Sequence, residues 1–590
     1  MVPFGECDAR SDTTRIAVVC VFILAACTGS LDNGPNRPGD SVVGGQGSSS
    51  SPSSPAAPGA PGDPSAPNGT APSGPSGIAS AVVARCKTPA VGSSPLRRLT
   101  HDQYNNAVRD LLGDSTRPGL DFAKGTEEGL FDTMADQHVA PLLADQYLDA
   151  AVSLAEGVKD INALVGCDPA GTTSATCVRD FVKRFGRRAF RRPLTSAELD
   201  AFVALYNNTR TASDAPTGVR GVLAAVLASP NFLFRPEFGT QASNLPQALK
   251  ASPFELSARL SWLLWASLPD DVLLDAAEKG QLETREQLVA QARRMLNDTR
   301  ARAGMAAFYE QWFGLSMLST TTKDAAVYPT FNDGLRSAMA EETRRFVDYV
   351  LWEDDAKLST LLTAPYAFVN GALAKLYGVT APKDPATFAK VPVDPKTRGG
   401  ILTQSSFLSA FAASNTSSPV KRGKWLRTRM LCHDLPEPPA NIPPLPPPKE
   451  GISTRERFAM HTASPACSGC HNLIDGLGFG LEAYDGIGAY RTTDLGVAVD
   501  TRGQINSTID IDGPYSGASE LSALLADSEQ VRACAPTQWF RYAFGRREGP
   551  DDVCSVEAIQ TAFKGSDGNL KELMLALVQT DAFATYRNPN

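Results

Sequence analysis

The chain has 590 residues, a hydrophobic fraction of 42 % and a formal net charge of −8, with an isoelectric point near 5.4. That acidic balance gives no electrostatic case for a nucleic-acid partner. The length allows several domains or one composite helical body.

The first element is the short apolar run IAVVCVFILAA, Ile16 to Ala26, which follows Arg10 and Arg15 and runs into Cys27. It is too short to span a bilayer and has the length of a signal-peptide core. Leu24-Ala25-Ala26-Cys27 fits a bacterial lipobox, so a signal peptide over 1–26 and a diacylated Cys27 are expected. The alternatives are ordinary cleavage after Ala26 or a short core helix. Two acyl chains suffice for stable anchoring. Thr28, in place of Asp after the cysteine, permits outer-membrane sorting under the rules for bacterial lipoproteins. The expected location is therefore the cell envelope, lipid-anchored, at an outer membrane facing periplasm or cell surface. Residues 27–82 are almost wholly Ser, Pro, Gly, Ala and Asn, a composition that cannot bury enough apolar surface to order itself. As a tether this run spans roughly 40 Å. No later segment is long and apolar enough to cross a membrane.

The body is predicted to be mainly α. Thr100 and Gln103 form a capping box before an apolar stripe of Tyr104, Val108, Leu111 and Leu112, and Gly113 ends the helix. A second helical pattern lies between Val139 and Val165. His101 and His138 read as surface or capping residues. From Cys177, six arginines between Arg179 and Arg192 interleave with Phe181, Phe185 and Phe190, whose spacing marks the buried stripe of an amphipathic helix with the arginines on its solvated or ion-paired face. Thr195 with Glu198, and Ser252 with Glu255, start further helices, and Trp262 and Trp265 are expected in the core. More helices are predicted near 284–314, 334–352 and 369–377. After ILTQSSFLSAFA the proline-rich LPEPPANIPPLPPPKEG predicts a polyproline II connector, and helices return over the last eighty residues.

The connector leads to Cys467-Ser468-Gly469-Cys470-His471, the attachment pattern of a c-type haem. Two thiols on one helical turn can each form a thioether to a haem vinyl group, and the adjacent His471 can ligate the iron from the same side. Covalent haem c, with iron, is the preferred cofactor; a redox dithiol, half of a zinc site or a small disulfide loop are the alternatives. Candidates for the sixth ligand are Met460, His461, Met430, His433 and Met574, with His461 first to test. Phe479, Leu481 and Tyr484 are available to wall the group, and Asp475, Glu482 and Asp485 read as turn and cap residues. Of 11 cysteines, Cys7 and Cys20 leave with the leader, Cys27 takes lipid, and Cys467 and Cys470 belong to the motif. The remaining six suit three disulfides in an oxidising compartment: Cys167–Cys177 and Cys534–Cys554 as local pairs, and Cys86–Cys432 by elimination.

RRLTHDQYNNAVRDLLG, FGRRAFRRPLTSAELDAF, LSARLSWLLWASLPDD with FYEQWFGL, RGGILTQSSFLSAFAASNTSSPVKRGKWL with CSGCHNLIDGLGFGLEAYDGIGAYR, and WFRYAFGRREGPDD resemble, in this order, a bacterial family of consecutive domains of unknown function numbered 1587, 1595, 1592, 1588 and 1585. The resemblance covers about 94–590 and implies a surface or periplasmic protein with a cytochrome c-like segment, without implying a reaction. Its usual Asp-Pro is here Asp475-Gly476, a difference read as touching a turn. The resulting division is a signal peptide (1–26), a tether (27–82), helical domains over 83–165, 166–240 and 241–380, a cytochrome c-like domain over 395–495 and a helical domain over 505–590. The expected function is electron transfer between a periplasmic or surface oxidoreductase partner and the respiratory chain, from a body held to the membrane by its N-terminal lipid. A peroxidase-like or other haem enzyme, and a haem-free scaffold or glycan-binding protein, are the alternatives.

Overall fold

The structure, a computed structural model, describes Cys86 and residues 91–587 apart from 126–129, 135–136, 172–173, 243–246, 438–444 and 463–464. The leader, Cys27, the tether and part of the proline connector lie outside the described residues. Met1–Thr88 forms one unit and Pro89–Asn590 another; the second holds all the elements named here.

Helices dominate, as the amphipathic spacing predicts. In chain order the main ones are α1 (His101–Leu112), α2 (Pro141–Glu156), α3 (Ser174–Phe190), α4 (Ser196–Ala212), α5 (Ala215–Leu227), α6 (Pro253–Leu264), α7 (Arg285–Leu296), α8 (Arg300–Trp312), α9 (Asp333–Trp352), α10 (Pro419–Trp425), α11 (Thr454–Thr462), α12 (Pro465–Phe479), α13 (Gly517–Asp527), α14 (Glu529–Phe544), α15 (Val553–Gly565) and α16 (Leu570–Leu577). The capping boxes at Thr100, Thr195 and Ser252 all form, each side chain accepting from the backbone N–H three residues on. Short strands join the helices. β1 (Arg97–Arg98) pairs antiparallel with β2 (Phe234–Arg235). β3 (Thr240–Gln241), β4 (Ala248–Lys250) and β11 (Thr585–Arg587) form a sheet in the order β11–β4–β3, which returns the C-terminal strand to the middle of the chain. Three hairpins complete the set: β5 (Tyr366–Val369) with β6 (Ala389–Pro392), β7 (Thr493–Asp494) with β8 (Val497–Ala498), and β9 (Arg502–Ile505) with β10 (Gly513–Ser516).

One apolar core runs from Phe131 to Tyr586. Its centre is α8, where Phe308 stacks on Trp539 of α14 with centroids 3.8 Å apart. Two indoles beside this stack find carbonyl acceptors: Trp312 Nε1 donates to Arg429 O at 3.1 Å and Trp425 Nε1 to Trp312 O at 3.0 Å. Trp262 and Trp265 are buried, as expected. On α3, Phe181, Phe185 and Phe190 face inward, and Arg179, Arg187 and Arg192 ion-pair with Asp200, Asp275 and Glu198. Arg191, just past the helix end, departs from the solvated face expected of it: it is buried and donates to the carbonyls of Ala189, Asn231, Phe232 and Phe234.

Cys167–Cys177 forms as expected. The Cys534–Cys554 and Cys86–Cys432 pairings are corrected: Cys432 joins Cys534 across 102 residues, with Cα atoms 5.4 Å apart. Packing of α14 against the turn after α10 brings these two together, a tertiary contact that sequence proximity does not report. Cys554 is itself disulfide-bonded, but not to Cys534.

Behind this core, Glu342 of α9 is fully buried. It accepts from Tyr377 Oη at 2.5 Å, and its other oxygen has no donor. Burial pushes its carboxyl up to about 8 against the opposing pull of Tyr377 and Arg398. The folded state therefore holds this proton more tightly than the unfolded chain does. The stabilisation is complete below the ordinary value of 4.5 and is lost as pH rises through about 8. Thermal unfolding across that window is expected to show the wild type losing stability relative to Glu342→Gln; parallel curves for the two proteins would remove the buried neutral carboxyl.

Candidate functional site

The Cys467–His471 segment lies on α12, which begins at Pro465, a residue suited to the first helical position because its missing N–H would have no partner there. The helix does not stop at the glycines that follow. It runs through Gly476 and Gly478 to Phe479, although each glycine costs helix propensity on the order of 1 kcal/mol. Close approach explains them. A Cβ at Gly478 would lie 1.9 Å from Pro419 O, one at Gly423 of α10 would lie 1.9 Å from Ile474 O, and one at Gly476 would lie 2.1 Å from Gln504 O of β9. The Asp475-Gly476 step is thus helix interior, not a turn.

Two arginines of α10 and its continuation lock this contact. Arg422, fully buried, donates to Leu408, Leu481, Tyr484 and Asp485 carbonyls at 2.8–3.1 Å. Arg427 donates twice to Leu473 O, at 2.7 and 3.0 Å, and to the carbonyls of Asn506 and Ser507. Glu482, also buried, lies between Arg422 and Arg491 and accepts from Ser417 Oγ at 2.7 Å; burial pushes its carboxyl up, against both arginines.

On the outer face of α12, Cys467 and Cys470 are free thiols, partly exposed. His471 Nδ1 faces both oxygens of Asp475, one turn on, at 2.9 and 3.0 Å. This contact fixes the ring and leaves Nε2 for another partner. The His461 ring, near the end of α11, lies 5.7 Å from the His471 ring, centroid to centroid. His471, Asp475 and Phe479 line an open cleft of about 680 Å³ with Arg455, Asp500 and Arg502, a volume typical of small-molecule and cofactor sites (about 300–1,000 Å³). Arg455 lies 4.0 Å from the Phe479 ring centroid. Its Nε sits 3.2 Å from Asp500 but is not aligned for a hydrogen bond, so it is a buried donor with no acceptor, as is Arg457 Nη1. Among the described residues no cluster of three or more His, Cys, Asp or Glu could hold a metal ion.

Five family models match in order: DUF1587 at residues 97–159, DUF1595 at 177–237, DUF1592 at 251–379, DUF1588 at 398–494 and DUF1585 at 513–583, each described as a protein of unknown function. The chain belongs to this five-module family. No curated protein and no solved structure matches it.

The DUF1588 module holds the whole motif helix together with α10 and α11. It brings Cys467, Cys470, His471 and His461 into one neighbourhood and leaves the other proposed ligands out of it. Met430 and, in the DUF1585 module, Met574 are fully buried in the core, and Met460 is 54 % exposed. His433 is half-buried, its N–H donating to Arg427 O at 3.0 Å. Of the proposed walls only Phe479 reaches the cleft; Leu481 and Tyr484 are core. Of the three carboxylates, Asp485 accepts from the Ile487 and Ala489 N–H groups as a turn residue should, whereas Asp475 orients His471 and Glu482 is a buried ion-pair partner. Arg422, Arg427, Arg455 and Arg457 went unnoticed, because in sequence a carbonyl-clamping arginine is indistinguishable from a solvated one.

Adding a methyl group at Gly423 forces backbone apart. Gly423→Ala is expected to cost about 1–3 kcal/mol, the usual price of overpacking. Gly469→Ala, on α12 with nothing within 4 Å of the added carbon, is expected to be neutral or to gain up to about 1 kcal/mol. Urea unfolding of both variants checks this, and an equal response would remove the close contact.

Proposed function

We propose that this module binds a c-type haem for electron transfer. The observation that carries the reading is a pair of free thiols one turn apart, followed by a histidine whose Nδ1 is held by Asp475 and whose Nε2 is left over, beside a cofactor-sized cleft. The donor set fits the group: Cys467 and Cys470 would be the attachment points and His471 the proximal ligand, with the unmatched Arg455 Nε on a residue that lines the cleft. Haem so bound would supply a one-electron couple. Asp475, as acceptor from Nδ1–H, fixes the tautomer of His471 and raises its donor strength, which favours the oxidised state and a low potential. His461 is the proposed sixth ligand, supported by its nearness to His471. Two histidine ligands would favour electron transfer with a partner oxidoreductase over peroxide chemistry. The lipobox supports anchoring to an envelope membrane through Cys27.

The test is a haem stain and pyridine haemochrome spectrum of the full chain matured with the cytochrome c machinery. A c-type band that disappears in Cys467→Ser and Cys470→Ser is expected, with a higher midpoint potential in Asp475→Asn and carbon monoxide binding gained in His461→Ala. A folded wild-type protein without haem would overturn the reading. A wild type that already binds carbon monoxide would instead favour an open-site haem enzyme.

A further inference from the structure

Far from α12, four arginines converge where β1, β2 and α6 meet the C-terminal segment. Arg97, Arg191, Arg235 and Arg259 are 4, 4, 7 and 4 % exposed. Arg97 and Arg235 are direct cross-strand partners in the β1–β2 pair, where like charges repel. One carboxylate, Glu237, serves the group, and it is already saturated: Arg259 Nε and Nη2 donate to it at 2.8 and 2.6 Å, Ser94 Oγ donates at 2.6 Å, and Arg97 Nη2 lies 3.6 Å away.

The other three guanidiniums are compensated by carbonyls. Arg191 has its four, Arg259 Nη1 donates to Ala582 O and Phe583 O, and Arg97 Nη1 to Ala543 O at 2.6 Å. Arg235 donates to no carbonyl and no carboxylate among the described residues. It lies over the ring of Trp262, 5.6 Å from guanidinium carbon to centroid, with Arg191 5.9 Å from the same ring, and feels the attraction of Glu237 without a hydrogen bond to it. The Trp262 indole is 2 % exposed, and its Nε1–H is likewise without an acceptor. Buried donors are nearly always paired, and a buried cation is costly unless something negative faces it. A buried indole N–H with no acceptor, beside a guanidinium that bonds to no carbonyl or carboxylate and in surroundings with an excess of positive charge, points to an anionic acceptor rather than a packing contact.

We infer that Arg235 and Trp262 Nε1 bind a small inorganic anion at this junction. Phosphate, sulfate and chloride share the required chemistry: compact, negatively charged and able to accept from a planar fork and a single N–H at about 3 Å. The anion would bind the folded chain and not the unfolded one, so stability becomes a saturable function of its concentration.

The experiment is thermal unfolding of the full chain in an anion-poor buffer, titrated separately with sodium phosphate, sulfate and chloride at matched ionic strength. The wild type is expected to show a saturable rise of several degrees in Tm with at least one of them. Arg235→Met is expected to lose that rise and, with no uncompensated cation to bury, to melt above the wild type when anion is absent. Trp262→Phe, which keeps the ring and removes the donor, is expected to shift half-saturation to several-fold higher anion. The inference is overturned if the wild type shows no saturable rise, or if Arg235→Met responds as the wild type does. If Arg235→Met does not fold, an unshifted half-saturation in Trp262→Phe overturns it in the same way.

Discussion

The candidate site depends on the crossing of α10 and α12, where Gly423 and Gly478 let two backbones touch. Side chains could not make so close a contact, and glycine pays for it in helix propensity. Arg422 and Arg427 then convert proximity into fixed geometry by binding a carbonyl within α12 and others in the segments after it. The Arg422 guanidinium is shared among four carbonyls, so the helix cannot slide without breaking several bonds at once. Everything proposed for Cys467, Cys470 and His471 assumes a helix held in this way.

What sequence reasoning recovers and what it misses divide along a physical line. Local signals were legible: the boxes at Thr100, Thr195 and Ser252 report backbone N–H groups three residues away, and the aromatic stripe on α3 reports one face of one helix. The motif at Cys467–His471 was legible for the same reason, since its chemistry is confined to a single turn. Gly476 shows where locality fails. Next to Asp475 it reads as a turn, yet it is helix interior, placed there because β9 crosses against it from thirty residues downstream. Arg191 and Arg422 fail alike, since burial of an arginine follows from where carbonyls converge and leaves no trace in spacing. The disulfide at Cys432 and Cys534 belongs with them.

The role of Asp475 lies between these cases. Its position four residues after His471 places both on one helix face, so the contact follows from helix geometry once the helix is known to continue. Reading Asp475-Gly476 as a turn hid it. One local misreading at Gly476 therefore removed a positioning carboxylate from the site.

The family's five modules are separate stretches of sequence but not separate bodies. A single apolar core runs through the last three, and Cys432–Cys534 joins the fourth to the fifth. The C-terminal strand returns to pair with β4, and Arg259 of the third module holds carbonyls of the fifth. Such a body resists relative motion of its parts, because moving one module would open the core of another. A group attached at Cys467 and Cys470 would accordingly meet a rigid face on one side and an open cleft on the other. Under the proposed haem reading, that arrangement suits a centre addressed from outside better than one assembled by closing domains, and the cleft side of α12 is the face such a partner would approach.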